Sequence, residues 1–271
     1  MQNEHEYEDD FKKQILSEIS EKYNKELINR ALNKLNLIKE DKTHYIFCNT
    51  NTLTSLDKIK PNQVKIFELS ISDYKCSINP RGRKKYGKIE DLNFENNSKV
   101  GTKYGLLDLP EIRKNKFTKS IFEFQGENIE NVVMENIKEL IDEEIEEWKK
   151  KAKYTVLEYK EGDYFMEHCD QKVNKRHFGT LLIFPPSIDS FAHDGGEFVI
   201  ENGNWDIIIP TKNNKNWKFV AFPIELKHAC LKIKKGKRIV IKTELFKKYI
   251  SNTPYNYNYE KICCDGGINL L

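Results

Sequence analysis

Three residues in the second half of the chain have the types and spacing of a metal site. His168 and Asp170 are separated by one residue, and a second histidine, His228, follows further along the chain. In a β-strand, residues i and i+2 point to the same face, so His168 and Asp170 can reach one metal ion together. Two imidazoles and one carboxylate on one face of an Fe(II) ion leave three adjacent positions open for reactants. The spacing therefore predicts a metal centre built from His168, Asp170 and His228.

The segments that carry these residues have the composition of a β-structure. After Lys151 the chain breaks into short apolar segments, and Gly195, Gly196 and Gly236 mark places where it can turn sharply. Many short strands at regular spacing are typical of a sandwich or barrel. The predicted strands cover residues 154–160, 164–168, 178–184, 196–201, 205–209, 217–222, 228–233 and 237–246.

A family resemblance extends over about residues 154–246. It rests on residues 159–170 (YKEGDYFMEHCD), 176–184 (RHFGTLLIF) and 195–198 (GGEF), followed by His228 and residues 236–238 (GKR). This series resembles the prolyl-4-hydroxylase-like branch of the 2-oxoglutarate and Fe(II)-dependent dioxygenases. A histidine and an aspartate at this spacing are a weak signal alone, whereas the ordered series is a specific one. The resemblance implies an α+β fold with a double-stranded β-helix, or jelly-roll, core, supporting helices and an N-terminal α/β extension.

The resemblance also implies roles for individual residues. The three predicted metal ligands would hold Fe(II), and no catalytic residue beyond them is implied. Arg238 matches the arginine that pairs with the distal carboxylate of 2-oxoglutarate, a role that suits a planar guanidinium. Tyr159 and Thr180 are expected to be further contacts of this cosubstrate. Dioxygen is the other co-reactant, and ascorbate is a candidate reductant.

The substrate is the least determined part of this interpretation. The order of the motifs favours hydroxylation of a protein or peptide side chain, prolyl or lysyl, with succinate and CO2 as coproducts. A nucleic-acid dealkylating oxygenase is an alternative, but members of that group usually carry a second arginine shortly after the one that matches Arg238. A non-catalytic jelly-roll binding module and a cupin-like enzyme with another metal are further alternatives. The oligomeric state is left open.

The rest of the chain is expected to support this core. Apolar residues recur at helical spacing over residues 7–37 and again over residues 128–151, where the predicted helix would brace the sheet. Residues 79–86 form a basic, turn-rich segment that could meet a substrate. We divide the chain into an extension of unknown role (1–127), the oxygenase domain (128–250) and a C-terminal tail (251–271).

Composition excludes some classes of protein. Hydrophobic residues make up 38% of the 271 residues, and no stretch approaches the roughly 18 consecutive apolar residues of a membrane helix. The N-terminus is acidic where a secretory signal would be basic, so an intracellular, cytoplasmic protein without a disulfide framework is expected. The 45 basic and 42 acidic residues nearly balance, which gives no case for a polyanionic partner. Only six of the basic residues are arginines, and Arg238 is one of them.

Overall fold

A computed structural model describes most of the chain. It covers residues 39–40, 45–48, 64–78, 85–102, 105–141, 143–187, 189–202 and 205–248. The helix predicted over residues 7–37, positions 79–84 of the basic segment and the C-terminal tail lie outside these ranges. Within the ranges, no helix has the length and apolarity that a membrane crossing requires.

The described residues form eighteen strands and one α-helix. The strands up to the helix are β1 (Lys39–Glu40), β2 (Tyr45–Cys48), β3 (Lys65–Leu69), β4 (Asp73–Ser77), β5 (Tyr86–Gly87), β6 (Glu95–Asn97), β7 (Lys99–Thr102), β8 (Gly105–Asp108) and β9 (Arg113–Gln125). The helix α1 spans Ile129–Ile137. The strands after it are β10 (Lys151–Lys160), β11 (Tyr164–His168), β12 (His177–Phe184), β13 (His193–Gly195), β14 (Phe198–Asn202), β15 (Trp205–Ile209), β16 (Trp217–Pro223), β17 (His228–Cys230) and β18 (Ile233–Phe246).

Sixteen of the described strands form two sheets that are joined through β9, and β7 and β8 pair only with each other. The first sheet has the order β9-β10-β18-β12-β16-β3, and the second has the order β11-β17-β14-β15-β2-β1. Among the strands that follow the helix, the first sheet contains β10, β12, β16 and β18. The second sheet contains β11, β14, β15 and β17. All of the pairings are antiparallel. This arrangement is the predicted double-stranded β-helix, and the fold prediction is confirmed.

The apolar residues form two layers, one on each side of the first sheet. The inner layer, between the two sheets, includes Leu182 and Phe184 of β12. The outer layer lies between the first sheet and α1 and includes Leu181 and Ile183 of the same strand. Successive side chains of a strand point to opposite faces, so a strand covered on both faces is a continuous apolar run. Every residue of β12 is accordingly buried.

The helix predicted over residues 128–151 is wrong in its length. α1 ends at Ile137 and a 3₁₀ turn follows, whereas most of residues 141–150 have no regular structure. Ile145 and Trp148 are still buried, and Ile145 pairs with Lys247 at the end of the first sheet. The acidic residues between them turn outward, and Glu146 forms an ion pair with Arg176. Tertiary burial and ion pairs therefore outweigh the helical periodicity of this segment.

The shorter helix packs against the first sheet. Ile129, Val133 and Ile137 are buried in the outer layer. The rings of Phe124 and Phe219, on strands β9 and β16, lie against the ring of Trp148. This aromatic cluster anchors the segment that follows the helix on the outer face.

Strands from the N-terminal part of the chain extend both sheets of the core. β3 pairs with β16, and β2 pairs with β15. β9 lies between β10 and β11 and joins the sheets. The predicted division at residue 127 stays a prediction, but most of the described strands before it pair with the sheets of the core, and only β7 and β8 form a separate two-stranded sheet.

Candidate functional site

The two histidines of the predicted metal set face each other on neighbouring strands. β11 and β17 are antiparallel, and His168 is the cross-strand partner of His228. The centroids of their rings are 4.3 Å apart. β11 ends at His168, so Asp170 lies in the following loop and not in the strand as expected. It nevertheless joins the two histidines, and one ligand atom from each of the three residues lies within 4.8 Å of the others.

Hydrogen bonds orient both imidazoles. Nδ1 of His168 is 2.8 Å from the carbonyl oxygen of Met166, and Nδ1 of His228 is 2.9 Å from that of Leu226. A carbonyl oxygen only accepts, so each Nδ1 carries the proton and each Nε2 presents a lone pair. This is the orientation that a metal-binding histidine requires.

The electrostatics of the three residues also suit a cation. Burial, and for His168 the neighbouring imidazole, lowers the pKa of both histidines below the ordinary value of 6.5, so both are neutral near pH 7. Burial alone would raise the pKa of Asp170, but the Lys242 ammonium and the two imidazoles outweigh it and hold that pKa below its ordinary value. Metal ions bind neutral imidazole and ionised carboxylate. The three groups therefore fit a divalent cation.

Asp170 has two further partners. The Lys242 ammonium is 2.5 Å from Oδ1, and the Thr180 hydroxyl donates to Oδ2. Thr180 is fully buried and contacts the carboxylate, so a contact with a cosubstrate stays a prediction. Lys242 was missed from the sequence, although strand alternation places it on the same face as Arg238.

A cavity of about 340 Å³ lies over this set, between the two sheets. Apolar side chains of both sheets line it, among them Phe165, Leu182 and Phe198. At its edge lie Leu106 and Val173, which are 71% and 61% exposed and are two of the three exposed large apolar side chains in the described ranges. The lining also includes basic residues, namely Lys99, Arg113, Lys119 and Lys242.

Arg238 is not among the residues that line the cavity, but it lies next to one of them. It is the cross-strand partner of Tyr159, which lines the cavity, and its guanidinium carbon is 4.5 Å from the centre of the Tyr159 ring. Its side chain is 1% exposed. Nη1 donates to the carbonyl oxygen of Gly196, while Nε and Nη2 have no partner among the residues that the structure describes. A buried cation with unsatisfied donors is costly unless an anion completes it.

Gly196 lets the chain approach this guanidinium. Its φ is +74°, a conformation that favours glycine, and a Cβ there would lie 2.1 Å from Cδ1 of Ile233 and 3.4 Å from Nη1 of Arg238. A side chain at position 196 is therefore excluded by the left-handed backbone and by packing against Ile233.

Comparison with solved structures gives one consistent class of protein. The chain is similar in structure to 2-oxoglutarate–Fe(II) oxygenases. A member of that family from Burkholderia pseudomallei aligns over 58% of this chain and 74% of its own, with 12% identity and a TM-score of 0.38. A prolyl-4-hydroxylase from Pseudomonas putida aligns over 51% and 75%, with 15% identity and a TM-score of 0.38. A Trichoplax adhaerens prolyl hydroxylase, solved with a peptide fragment of the hypoxia inducible factor oxygen degradation domain, aligns over 57% and 70%, with 18% identity and a TM-score of 0.39.

No protein-family model matches the chain, and no curated protein matches it. At TM-scores below 0.5, no substrate and no residue role is carried over from these structures. The functional argument rests on this chain's own strands and side chains.

Proposed function

We propose that this protein is an Fe(II)- and 2-oxoglutarate-dependent dioxygenase that hydroxylates a C–H bond. One observation carries the proposal. A three-residue metal set lines the cavity between the sheets, and a buried guanidinium whose Nε and Nη2 have no partner among the described residues lies against Tyr159, which lines the same cavity. The metal set alone would suit several kinds of metalloprotein. The buried arginine adds a demand for an anion, and a 2-oxo acid with a distal carboxylate meets both demands.

Each group of the chain then has a defined task. His168, Asp170 and His228 would hold Fe(II), and Arg238 would bind the distal carboxylate of 2-oxoglutarate beside Tyr159. Once bound, iron and cosubstrate supply the oxidation of the C–H bond by dioxygen, with succinate and CO2 as coproducts. The apolar lining of the cavity excludes water, and the rigid strands keep the reactants in place.

The proposed substrate is a protein or peptide side chain, with proline or lysine as the first choices. Leu106 and Val173, from different segments of the chain, both line the cavity and are exposed at the surface. Exposed apolar side chains beside a polar site are typical of a surface that binds a partner. A polypeptide docked there could place one side chain in the cavity.

A nucleic acid is the second candidate substrate. Lys99, Arg113 and Lys119 lie on one side of the cavity, and basic residues of this kind attract phosphates. The alternation of β9 places Arg113 and Lys119 on one face with Phe117, which is the arrangement of a groove that tracks a charged backbone.

The test of the reaction begins with the metal and cosubstrate. Protein loaded with Fe(II) without oxygen and titrated with 2-oxoglutarate should develop a metal-to-ligand charge-transfer band, and succinate should form on admitting air. Asp170→Ala should bind no iron. Glu244 also lines the cavity but is not one of the three ligands, so Glu244→Gln should bind iron normally. A wild-type protein that shows neither the band nor succinate would refute the proposal and leave a non-catalytic module.

The test of the substrate uses mass spectrometry. Peptide libraries and single-stranded oligonucleotides are incubated with the complete system, and products that gain one oxygen, or lose an alkyl group, are sought. A product seen only with peptides supports the first candidate. A product seen only with oligonucleotides replaces it with the second.

A further inference from the structure

We infer that Lys242 keeps Asp170 a one-oxygen ligand and thereby keeps three coordination positions of the metal open. This inference rests on the function proposed above. Its starting point is the unequal surroundings of the two carboxylate oxygens. Oδ1 lies 2.5 Å from the Lys242 ammonium, whereas Oδ2 accepts from the Thr180 hydroxyl and is 4.0 Å from Nε2 of His228. Oδ2 is therefore the oxygen that lies towards the two histidines, whereas Oδ1 is paired with the Lys242 ammonium.

The fold makes Lys242 a rigid support for a residue that lies in a loop. Lys242 lies on β18, which is hydrogen-bonded to β10 on one side and to β12 on the other. Its cross-strand partners are Thr155 and Leu182, and all three side chains line the cavity. Asp170 lies beyond the end of β11. The ion pair therefore ties the loop to the middle of the first sheet.

The burial of the pair makes its geometry well defined. The side chain of Asp170 is 9% exposed and that of Lys242 is 23% exposed. In surroundings of this kind an ion pair is screened little by water. A second oxygen of Asp170 could approach the metal only by displacing an ammonium that is held against it.

The number of carboxylate oxygens on the metal decides what else can bind. A carboxylate can bind a cation through one oxygen or through two. Two histidines and a one-oxygen carboxylate leave three of six positions free, which is the number that a chelating 2-oxo acid and dioxygen require together. A two-oxygen carboxylate would leave two positions, so the 2-oxo acid would have to displace an oxygen of Asp170 before dioxygen could bind.

A lysine that serves only the stability of the fold would behave differently. Its loss would leave Asp170 less well paired, and metal binding and cosubstrate binding would weaken together. A positioning role separates the two properties. Without the ammonium, both oxygens of Asp170 can bind the metal and a nearby positive charge is gone, so metal affinity is retained or increased while 2-oxoglutarate binds more weakly.

The experiment compares Lys242→Met, Lys242→Arg and a matched control, Lys119→Met. Lys119 and Lys242 are cross-strand partners of the same residue, Thr155, and both line the cavity. Lys119 makes no ion pair with Asp170, so its replacement removes one charge from the cavity without touching the ligand. Calorimetry with Mn(II) alone measures metal affinity. Titration of the Fe(II) protein with 2-oxoglutarate, without oxygen, measures cosubstrate affinity through the charge-transfer band.

We expect Lys242→Met to bind Mn(II) at least as tightly as the wild type and to need about tenfold more 2-oxoglutarate, which corresponds to about 1.4 kcal/mol. Lys242→Arg should stay close to the wild type, since it keeps a cation on Oδ1. Lys119→Met should change neither constant. Unchanged 2-oxoglutarate binding in Lys242→Met, weaker binding of metal and cosubstrate together, or an equal loss in Lys119→Met would each overturn the inference. If the wild-type protein binds neither the metal nor 2-oxoglutarate, the proposed function itself is wrong. This result is obtained before any variant is made.

Discussion

Arg238→Met should separate the stability of the protein from its response to 2-oxoglutarate. Arg238 is buried with Nε and Nη2 unpaired. An unsatisfied buried group costs about 1 to 3 kcal/mol, so methionine removes a penalty of about 2 to 6 kcal/mol. The change also removes the hydrogen bond to Gly196, worth about 1.5 to 3 kcal/mol, and a cation–π contact with Tyr159, worth about 2 kcal/mol. The carbonyl oxygen of Gly196 keeps a hydrogen bond from Thr211 and is not left unpaired.

These opposing contributions nearly cancel at their central values. We therefore expect the free energy of unfolding of the ligand-free variant to stay within about 2 kcal/mol of the wild type. The response to ligand should change far more. Losing a charged pair with a carboxylate costs about 3 kcal/mol, which raises Kd on the order of 100-fold. At a 2-oxoglutarate concentration of about 100 times the wild-type Kd, the wild type gains about 2.7 kcal/mol and the variant gains about 0.4 kcal/mol.

The assay is urea unfolding of the Mn(II)-loaded protein with and without 2-oxoglutarate. Lys218→Met is the matched control, because Lys218 is also a buried cation of the first sheet but has its partners. Its ammonium is 2.9 Å from the carbonyl oxygen of Pro210 and 3.6 Å from a carboxylate oxygen of Glu68. This control should lose about 1.5 to 3 kcal/mol of stability and keep the full gain from 2-oxoglutarate. The reasoning is refuted if Arg238→Met keeps a gain near 2.7 kcal/mol, or if Lys218→Met loses it as well.

Two further predictions concern the fold around the site. His168 and His228 have their pKa lowered by burial in the folded protein and regain the ordinary value of 6.5 on unfolding, so the unfolded chain binds more protons below pH 6.5. The free energy of unfolding of the metal-free protein should therefore be highest above pH 6.5. Below pH 6.5 it should fall by up to about 1.4 kcal/mol per pH unit for each histidine. Urea unfolding of His168→Gln should show a smaller dependence on pH. An unchanged slope would contradict the assignment. Trp148→Ala should cost about 3 to 5 kcal/mol, because the ring is buried against Phe124. The neighbouring residue Glu147 is exposed, so Glu147→Ala should change the free energy of unfolding by less than about 0.5 kcal/mol. Equal effects of the two variants would show that the segment is not packed as described.

Much of the β-core could be predicted because its signals are local. Alternating apolar residues and glycines at turns mark each strand, and most predicted bounds lie within a few residues of the strands from β10 to β18. Gly236 shows where local patterns are insufficient. The sequence marks it as a place where the chain can turn sharply, but it has a φ of +82° within the continuous strand β18.

The metal ligands could be predicted from sequence because spacing and strand alternation are properties of a few neighbouring residues, whereas Arg238, Tyr159 and Thr180 were expected only from the family resemblance. His168 and Asp170 belong to one short motif, and alternation alone puts Arg238 and Lys242 on one face of their strand. The chain order does not show that His168 and His228 are cross-strand partners, because register depends on how β11 and β17 pair.

Tertiary structure alone decided two features. The apolar spacing of residues 141–148 suits a helix, but Ile145 and Trp148 are buried equally well in a segment that follows the edge of the sheet. A pattern of burial does not specify the partner, so the end of α1 depended on long-range packing. The contact between Lys242 and Asp170 joins residues 72 positions apart in the sequence. The composition shows that the chain has many charged residues. Which lysine reaches the carboxylate of the metal site depends on how the strands of the folded sheet are arranged.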